Sequence, residues 1–171
     1  ENGNHITTPK LAEQKEGNVE TQVQSKIKNT DKKAAKVFVE QQIFTKEGKV
    51  VSELVRSATK SVAENETAQF NQNILVNQPT LWTTKSYHPQ LYVLKTKVYK
   101  EGQLVDVTED TFGYRYFNWT AKDGFSLNGE RMKFHGVSIH HDNGALGAEE
   151  NYKATYRKLK LLKDMGVNSI R

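Results

Sequence analysis

Residues 125–171 read FSLNGERMKFHGVSIHHDNGALGAEENYKATYRKLKLLKDMGVNSIR, and this stretch decides the fold class. Phe125–Arg131 predicts a small hairpin around Asn128-Gly129, because Asn-Gly suits the left-handed pair of a two-residue turn. Met132–Ile139 reads as a strand. Ala148–Met165 reads as a helix, since Tyr152, Tyr156, Leu159, Leu162 and Met165 recur every three or four residues. Gly166 follows where a helix C-terminus takes a left-handed residue. Val167–Ile170 opens the next strand. A strand, a helix and a strand in succession make a βαβ unit, whose strands are parallel. One such unit is the beginning of an α/β domain, so the sequence is expected to be a fragment of a larger chain.

What precedes this stretch reads differently. In residues 17–29, Val19, Thr21, Val23, Ser25 and Ile27 alternate with Glu20, Gln22, Gln24, Lys26 and Lys28, the pattern of a half-buried strand. Asn29-Thr30-Asp31 predicts a turn. Residues 35–45 form the next strand, with Val37, Val39 and Ile43 inward. Glu47-Gly48 turns the chain into 49–56. Residues 60–77 read as one long extended stretch anchored by Phe70, Ile74 and Val76, and Pro79 breaks it. Leu91–Tyr99 and Leu104–Val107 flank a tight turn at Glu101-Gly102. Thr111–Trp119 is the last strand, with Phe112, Tyr114 and Tyr116 on one side. Short strands at regular intervals without a helix predict an antiparallel sandwich of immunoglobulin-like type. The expected class is therefore mainly β: a sandwich over 1–121, then 122–171 as a separate α/β segment.

Composition narrows the options. The 171 residues include no cysteine, which excludes disulfides and cysteine-based zinc sites. Both a cytoplasmic and a bacterial surface location agree with that, so the compartment stays open. No run approaches the roughly 20 apolar residues of a membrane span, and no stretch reads as a signal peptide. The net charge of +5 is spread along the chain: residues 1–123 carry 17 basic and 15 acidic side chains, and residues 124–171 carry 8 and 5. A nucleic-acid surface would be a basic stripe with interleaved aromatics, and none is present. Neither nucleic acid nor membrane is expected as a partner.

His140, His141 and Asp142 end the first parallel strand, and function sits at the carboxyl ends of strands in open sheets and barrels. Alternation puts His140 and Asp142 on one face and His141 on the other. The plain structural alternative is one histidine packed in the core and the other capping a loop. His140 and Asp142 would give a metal two ligands, but no third is evident, because His135 lies near the far end of the strand; no metal or other cofactor is expected. Trp82, Trp119, Tyr87 and Tyr92 could form a sugar platform or pack the end of a sandwich, and packing is the stronger reading. No phosphate loop, nucleophile elbow or catalytic carboxylate pair is found.

Separated motifs agree on one family. Pro79-Thr80-Leu81-Trp82, His88-Pro89-Gln90-Leu91-Tyr92 and Phe112-Gly113-Tyr114-Arg115 resemble the immunoglobulin-like domain signature of glycoside hydrolase family 2. Phe125–Gly129 is similar to its F-x-L-N-G, Gly136–His140 to G-V-N-x-H, and Lys163, Gly166, Asn168, Ile170 and Arg171 to K-x-x-G-x-N-x-I-R. Ser138 and Ile139 depart from the pattern, where the family often has Asn and then Arg or Lys.

The resemblance implies an enzyme that retains anomeric configuration, of the kind represented by β-galactosidases, β-glucuronidases and β-mannosidases. It implies that 122–171 are the truncated first βα unit of a TIM barrel. The run at 140–147 looks most like β-galactosidases. Asp142 would contact the sugar in the −1 subsite, at a position where galactosidases can carry His and glucuronidases Asp. Arg171 would line the active site from the second barrel strand, and His140 would bind substrate with them. Both catalytic glutamates of the family come from later barrel strands, so no catalytic residue is expected in this chain. Glu149 and Glu150 are expected to open the helix, where acids complement its dipole. A carbohydrate substrate is the implied partner of the intact enzyme, and self-association through the truncated barrel segment is expected of the fragment. The competing class is a non-enzymatic sandwich module for adhesion or carbohydrate binding, against which the βα unit argues.

Overall fold

A computed structural model describes residues 3–86, 89–140 and 142–171. The chain divides into two units, the first being Glu1–Phe117 with Leu127–Gly129 and the second Asn118–Ser126 with Glu130–Arg171.

The first unit is the antiparallel sandwich. One sheet has the order β1 (Gly3–Thr7), β2 (Asn18–Lys28), β6 (Thr67–Asn77). The other runs β4 (Val55–Arg56), β3 (Ala35–Thr45), β7 (Tyr92–Lys100), β8 (Gln103–Phe112), with β5 (Lys60–Val62) also on β3. The alternation read from the sequence sets the register. Val19 and Val23 of β2 and Ile74 and Val76 of β6 meet Ile43 of β3 and Leu94 of β7 in one core cluster. A second cluster joins Val37, Val39 and Val98 to Val62 and Phe70. At about 25 cal/mol per Å² of apolar surface removed from water, such interiors dominate the stability of a small sandwich.

The structure corrects several element boundaries. The expected strand at 60–77 is two strands on different sheets. The chain crosses between them at Ala63–Glu66, where Asn65 has φ +57° and Glu66 accepts the Ala63 N–H at 2.9 Å. Polar alternation through Ala-Glu-Asn-Glu disguised that turn. Residues 49–56 form only β4 and an isolated bridge between Phe44 and Val50. β1 and a single helical turn, α1 (Leu11–Gln14), come before the first strand read from sequence, and Leu11 of that turn is buried in the core. The return strand at 104–107 is the middle of the longer β8, and the expected strand 111–119 is broken. β8 stops at Phe112, and Phe117–Thr120 is β9, in a three-stranded sheet with β10 (Gly124–Leu127) and β11 (Glu130–Arg131).

The break is where the aromatic core closes. Tyr114 is fully buried, edge-on to Tyr92 at 4.9 Å and to Phe112 at 5.2 Å. Its hydroxyl lies 2.8 Å from the buried Thr21 hydroxyl. Gly113 lets Trp82 lie against the backbone, since a Cβ there would come 2.9 Å from Trp82 Cβ. Phe112, Tyr114 and Tyr116 all pack on the same cluster, as alternation predicted, although only Phe112 lies in a strand.

In the second unit, β12 (Gly136–Val137) pairs in parallel with β13 (Ser169–Ile170), and α2 (Tyr152–Asp164) connects them. The expected strand Met132–Ile139 thus shrinks to two residues, and the helix starts at Tyr152 rather than Ala148. Its N-cap is Asn151, whose side chain accepts the Ala154 N–H at 3.1 Å, so Glu149 and Glu150 precede the helix instead of opening it. Gly166, at φ +90°, ends it as expected. The Gly166 N–H reaches Lys163 O at 2.9 Å and the Val167 N–H reaches Leu162 O at 3.0 Å, the paired bonds of a Schellman stop.

Burial pushes the Tyr114 phenol above the ordinary tyrosine range, and the Thr21 hydrogen bond opposes this only in part. The neutral phenol is therefore favoured in the fold, and its contribution is complete below the unfolded pKa near 10 and declines as pH rises past it. Tyr114→Phe is expected to lower stability by about 1–2 kcal/mol at neutral pH, because Thr21 loses its partner. Urea unfolding at pH 7 and pH 11 checks both: the variant should show a lower midpoint at pH 7 and a weaker alkaline loss than the parent.

Candidate functional site

The three residues singled out for substrate binding lie at or just beyond the carboxyl end of the parallel pair. Arg171 follows β13, and its N–H donates to Val137 O at 3.0 Å. Ile139 N–H donates back to Arg171 O at 2.9 Å. His140 is therefore next to the residue that pairs with Arg171. All three candidate side chains, His140, Asp142 and Arg171, are exposed. His141 lies outside the described residues, as does the Tyr87-His88 pair.

Strand alternation does not carry Asp142, because the strand has already ended at Val137. The Asp142 N–H instead donates to His140 O at 2.7 Å, so the chain bends there. A compact loop follows. Asp142 Oδ1 accepts the Gly144 N–H at 3.0 Å, and Gly147 N–H closes on Gly144 O at 3.0 Å around a short 3-10 turn, Gly144–Leu146. A carboxylate accepts about four hydrogen bonds, so Asp142 retains capacity for a ligand.

Three residues that the sequence did not single out for the site hold this arrangement. Asn143 donates from Nδ2 to Glu149 O at 2.7 Å, and its N–H reaches Gly147 O at 2.9 Å. Lys158, half-buried on α2, donates from Nζ to Asp142 O and to Asn143 Oδ1. Asn168 works at the other end of the pair. Its Oδ1 accepts the His135 N–H at 2.9 Å, its Nδ2 donates to Lys133 O at 2.9 Å and its N–H reaches His135 O at 3.1 Å. The side-chain amide thus continues a ladder that the short strands leave unfinished. The signal for Lys158 was available: a cation at the i+4 position between Ala154 and Leu162, where a sheet-facing helix normally carries an apolar residue.

Packing accounts for Tyr92 and Trp82. Tyr92 is core, and its hydroxyl accepts the Thr80 N–H at 2.9 Å. Trp82 is half-buried beneath Arg115, whose guanidinium stands 4.8 Å from the ring. Trp119 remains 61% exposed, and in the second unit it meets Phe125 at a tilt at 4.9 Å and stacks on Phe134 at 5.5 Å. Among the described residues no group of three or more His, Cys, Asp or Glu side chains is placed to hold a metal ion. Among the described residues no helix is long and apolar enough to cross a membrane.

Comparison with known proteins adds the remaining observation. The model of glycosyl hydrolases family 2 matches residues 4–115. The chain belongs to this family. A β-galactosidase of Bacteroides ovatus is 42% identical over 73% of the chain, which spans 14% of that protein. A solved family 2 member from Bacteroides cellulosilyticus superposes with a TM-score of 0.87 at 32% identity, covering 99% of this chain and 21% of that one. A Bacteroides uniformis β-glucuronidase gives 0.84 at 26% identity, with 99% and 20% covered. The chain therefore spans about a seventh to a fifth of the length of the relatives it matches.

Asn168→Ala removes both side-chain bonds while leaving the backbone bond. Amide exchange at His135 is expected to speed up by about tenfold or more relative to the parent, since a lost hydrogen bond costs about 1–1.5 kcal/mol. Exchange within β2 and β6 should be unchanged, which makes the sandwich the internal control.

Proposed function

We propose that residues 1–121 are the immunoglobulin-like domain and residues 122–171 the first βα unit of the (β/α)8 barrel of a retaining exo-glycosidase. The whole enzyme would hydrolyse terminal β-linked sugars, β-galactosides first among them. The observation that carries the reading is the placement of His140, Asp142 and Arg171 at the carboxyl edge of a parallel pair, in a chain that belongs to a glycosidase family. Barrel enzymes bind substrate at that edge. The identity to a β-galactosidase supports the choice of sugar.

In this reading the chain supplies recognition and not bond cleavage. Retaining hydrolysis needs an acid/base and a nucleophile about 5–5.5 Å apart, and both would come from later strands of the barrel. Asp142 would accept hydrogen bonds from sugar hydroxyls. His140 and Arg171 would donate to ring or glycosidic oxygens, with Arg171 offering five N–H donors in a fixed plane. No cofactor enters. A second reading has support of its own: an acid at position 142 and the likeness to a β-glucuronidase favour a glucuronide as substrate.

Two measurements decide. The chain alone is expected to release no nitrophenol from nitrophenyl β-galactoside or β-glucuronide above the buffer rate, and turnover that survives stringent purification would place catalysis here instead. In the full-length enzyme, Asp142→Ala is expected to reduce kcat/KM by about 1–3 kcal/mol on its true substrate, the scale of a hydrogen bond to ligand. Assay of the nitrophenyl β-galactoside, β-glucuronide and β-mannoside in parallel identifies which sugar that is, and hydrolysis of none would overturn the glycosidase reading in favour of a binding module, testable on a glycan array. The exposed faces of Tyr152, Tyr156 and Met165 on and beside α2 also lead us to expect concentration-dependent association of the isolated chain in sedimentation.

A further inference from the structure

The loop that carries Asp142 is fastened from below by a lysine. Lys158 shares the half-buried stripe of α2 with Ala154 and Leu162. Its ammonium group meets two oxygens of the loop: the main-chain carbonyl of Asp142 and the Oδ1 of Asn143, the latter at 2.7 Å. Neither is a carboxylate, so this is not an ion pair of the kind that decorates helix surfaces. The second acceptor is itself fixed, because the Asn143 amide also donates to Glu149 O at 2.7 Å. Ordering a lysine is among the larger side-chain entropy losses in folding. The return here is positional: a cation with three donors holds one backbone carbonyl and one amide at once. Asp142 Oδ1 is meanwhile tied to the Gly144 N–H at 3.0 Å, so carboxylate and carbonyl of the same residue are both constrained.

We infer that Lys158 is a positioning residue for sugar recognition, gripping the main chain of Asp142 and the side chain of Asn143 so that the Asp142 carboxylate keeps one orientation toward the bound sugar. The inference rests on the reading of Asp142 as a substrate ligand. Lys158 itself does not touch the sugar. Its effect passes wholly through Asp142, and this separates it from a residue that merely stabilises the loop.

A double-mutant cycle in the full-length enzyme tests it. Lys158→Met, Lys158→Arg, Asp142→Ala and the Lys158→Met/Asp142→Ala pair are assayed for kcat and KM on the hydrolysed nitrophenyl glycoside. Lys158→Met is expected to lower kcat/KM by about tenfold or more, and Lys158→Arg to recover most of that loss. The paired variant should fall no further than Asp142→Ala alone, because two residues acting through one contact are not additive. If Lys158→Met does not fold by circular dichroism, Lys158→Gln takes its place in the same cycle. A Lys158 loss that reappears in full on the Asp142→Ala background assigns the lysine a structural role only and overturns the inference, as does a Lys158→Met enzyme with unchanged kcat/KM. An active enzyme in which Asp142→Ala is neutral removes Asp142 from recognition and Lys158 with it, while leaving the glycosidase reading intact. Failure of the unmutated enzyme on the β-galactoside, β-glucuronide and β-mannoside alike is the separate outcome that sinks that reading itself.

Discussion

One amide closes the aromatic end of the sandwich. Asn128 sits in the left-handed region at φ +54°, a conformation its short polar side chain tolerates, and from there it reaches two other segments. Its Nδ2 donates to Trp82 O at 2.8 Å, its Oδ1 accepts the Tyr116 N–H at 3.1 Å, and its own N–H donates to Tyr116 O at 2.8 Å. Trp82 N–H in turn reaches Tyr114 O at 2.8 Å. The P-x-L-W, F-G-x-R and F-x-L-N-G motifs, far apart in sequence, are thus one hydrogen-bonded knot over the buried Tyr114. Each sits where the chain leaves a regular strand, so these backbone groups have no ladder partner and need a side chain to satisfy them. That is a structural reason for those residues, and it carries no chemistry with it.

Between the sheets the same economy appears in polar form. Gln41 donates from Nε2 to Ser25 and Thr96, both at 2.9 Å, Ser25 donates to Asn4, and Asn4 donates to Asp110 at 2.6 Å. The network joins β3 and β7 to β2, β1 and β8, and so fixes the register of both sheets where apolar packing alone would tolerate a slip. It is incompletely satisfied at Gln41 Oε1, and both side-chain amide atoms of Gln72, outside the network, are likewise buried without a hydrogen-bond partner among the described residues. A sandwich that keeps such amides gives up stability for pairing specificity.

Legibility in the sequence followed the source of each element's stability. β2, β3 and β7 were readable because every second side chain is buried, and burial writes itself as alternation. The turns at Glu101-Gly102 and Asn128-Gly129 were readable because the second residue of each takes a positive φ that Gly adopts freely, and Asn128 tolerates the same region. β1 was not, since Gly-Asn-His-Ile-Thr holds a single large apolar residue and is recruited by pairing with β2. The helix periodicity located α2 but not the face it protects. Tyr152 and Met165 are among the most exposed side chains, while Ala154, Thr155, Lys158, Leu162 and Lys163 are the half-buried ones of α2. Tyrosine and methionine at helical spacing look apolar in a count, but nothing in one sequence states which face meets the sheet.

The candidate site was legible by position and not by geometry, for the same physical reason. His140 and Asp142 follow a parallel strand, and that much can be read from a βαβ pattern. Their orientation depends on where the strand ends, which is set by the pairing of Ile139 with Arg171 rather than by side-chain alternation. Once the strand stops at Val137, the loop is shaped by bonds among Asp142, Asn143, Gly144 and Lys158. Such bonds have no periodicity. A sandwich built from burial can be read from residue spacing, whereas a loop built from a few directed hydrogen bonds is fixed only when its donors and acceptors are brought together in the fold.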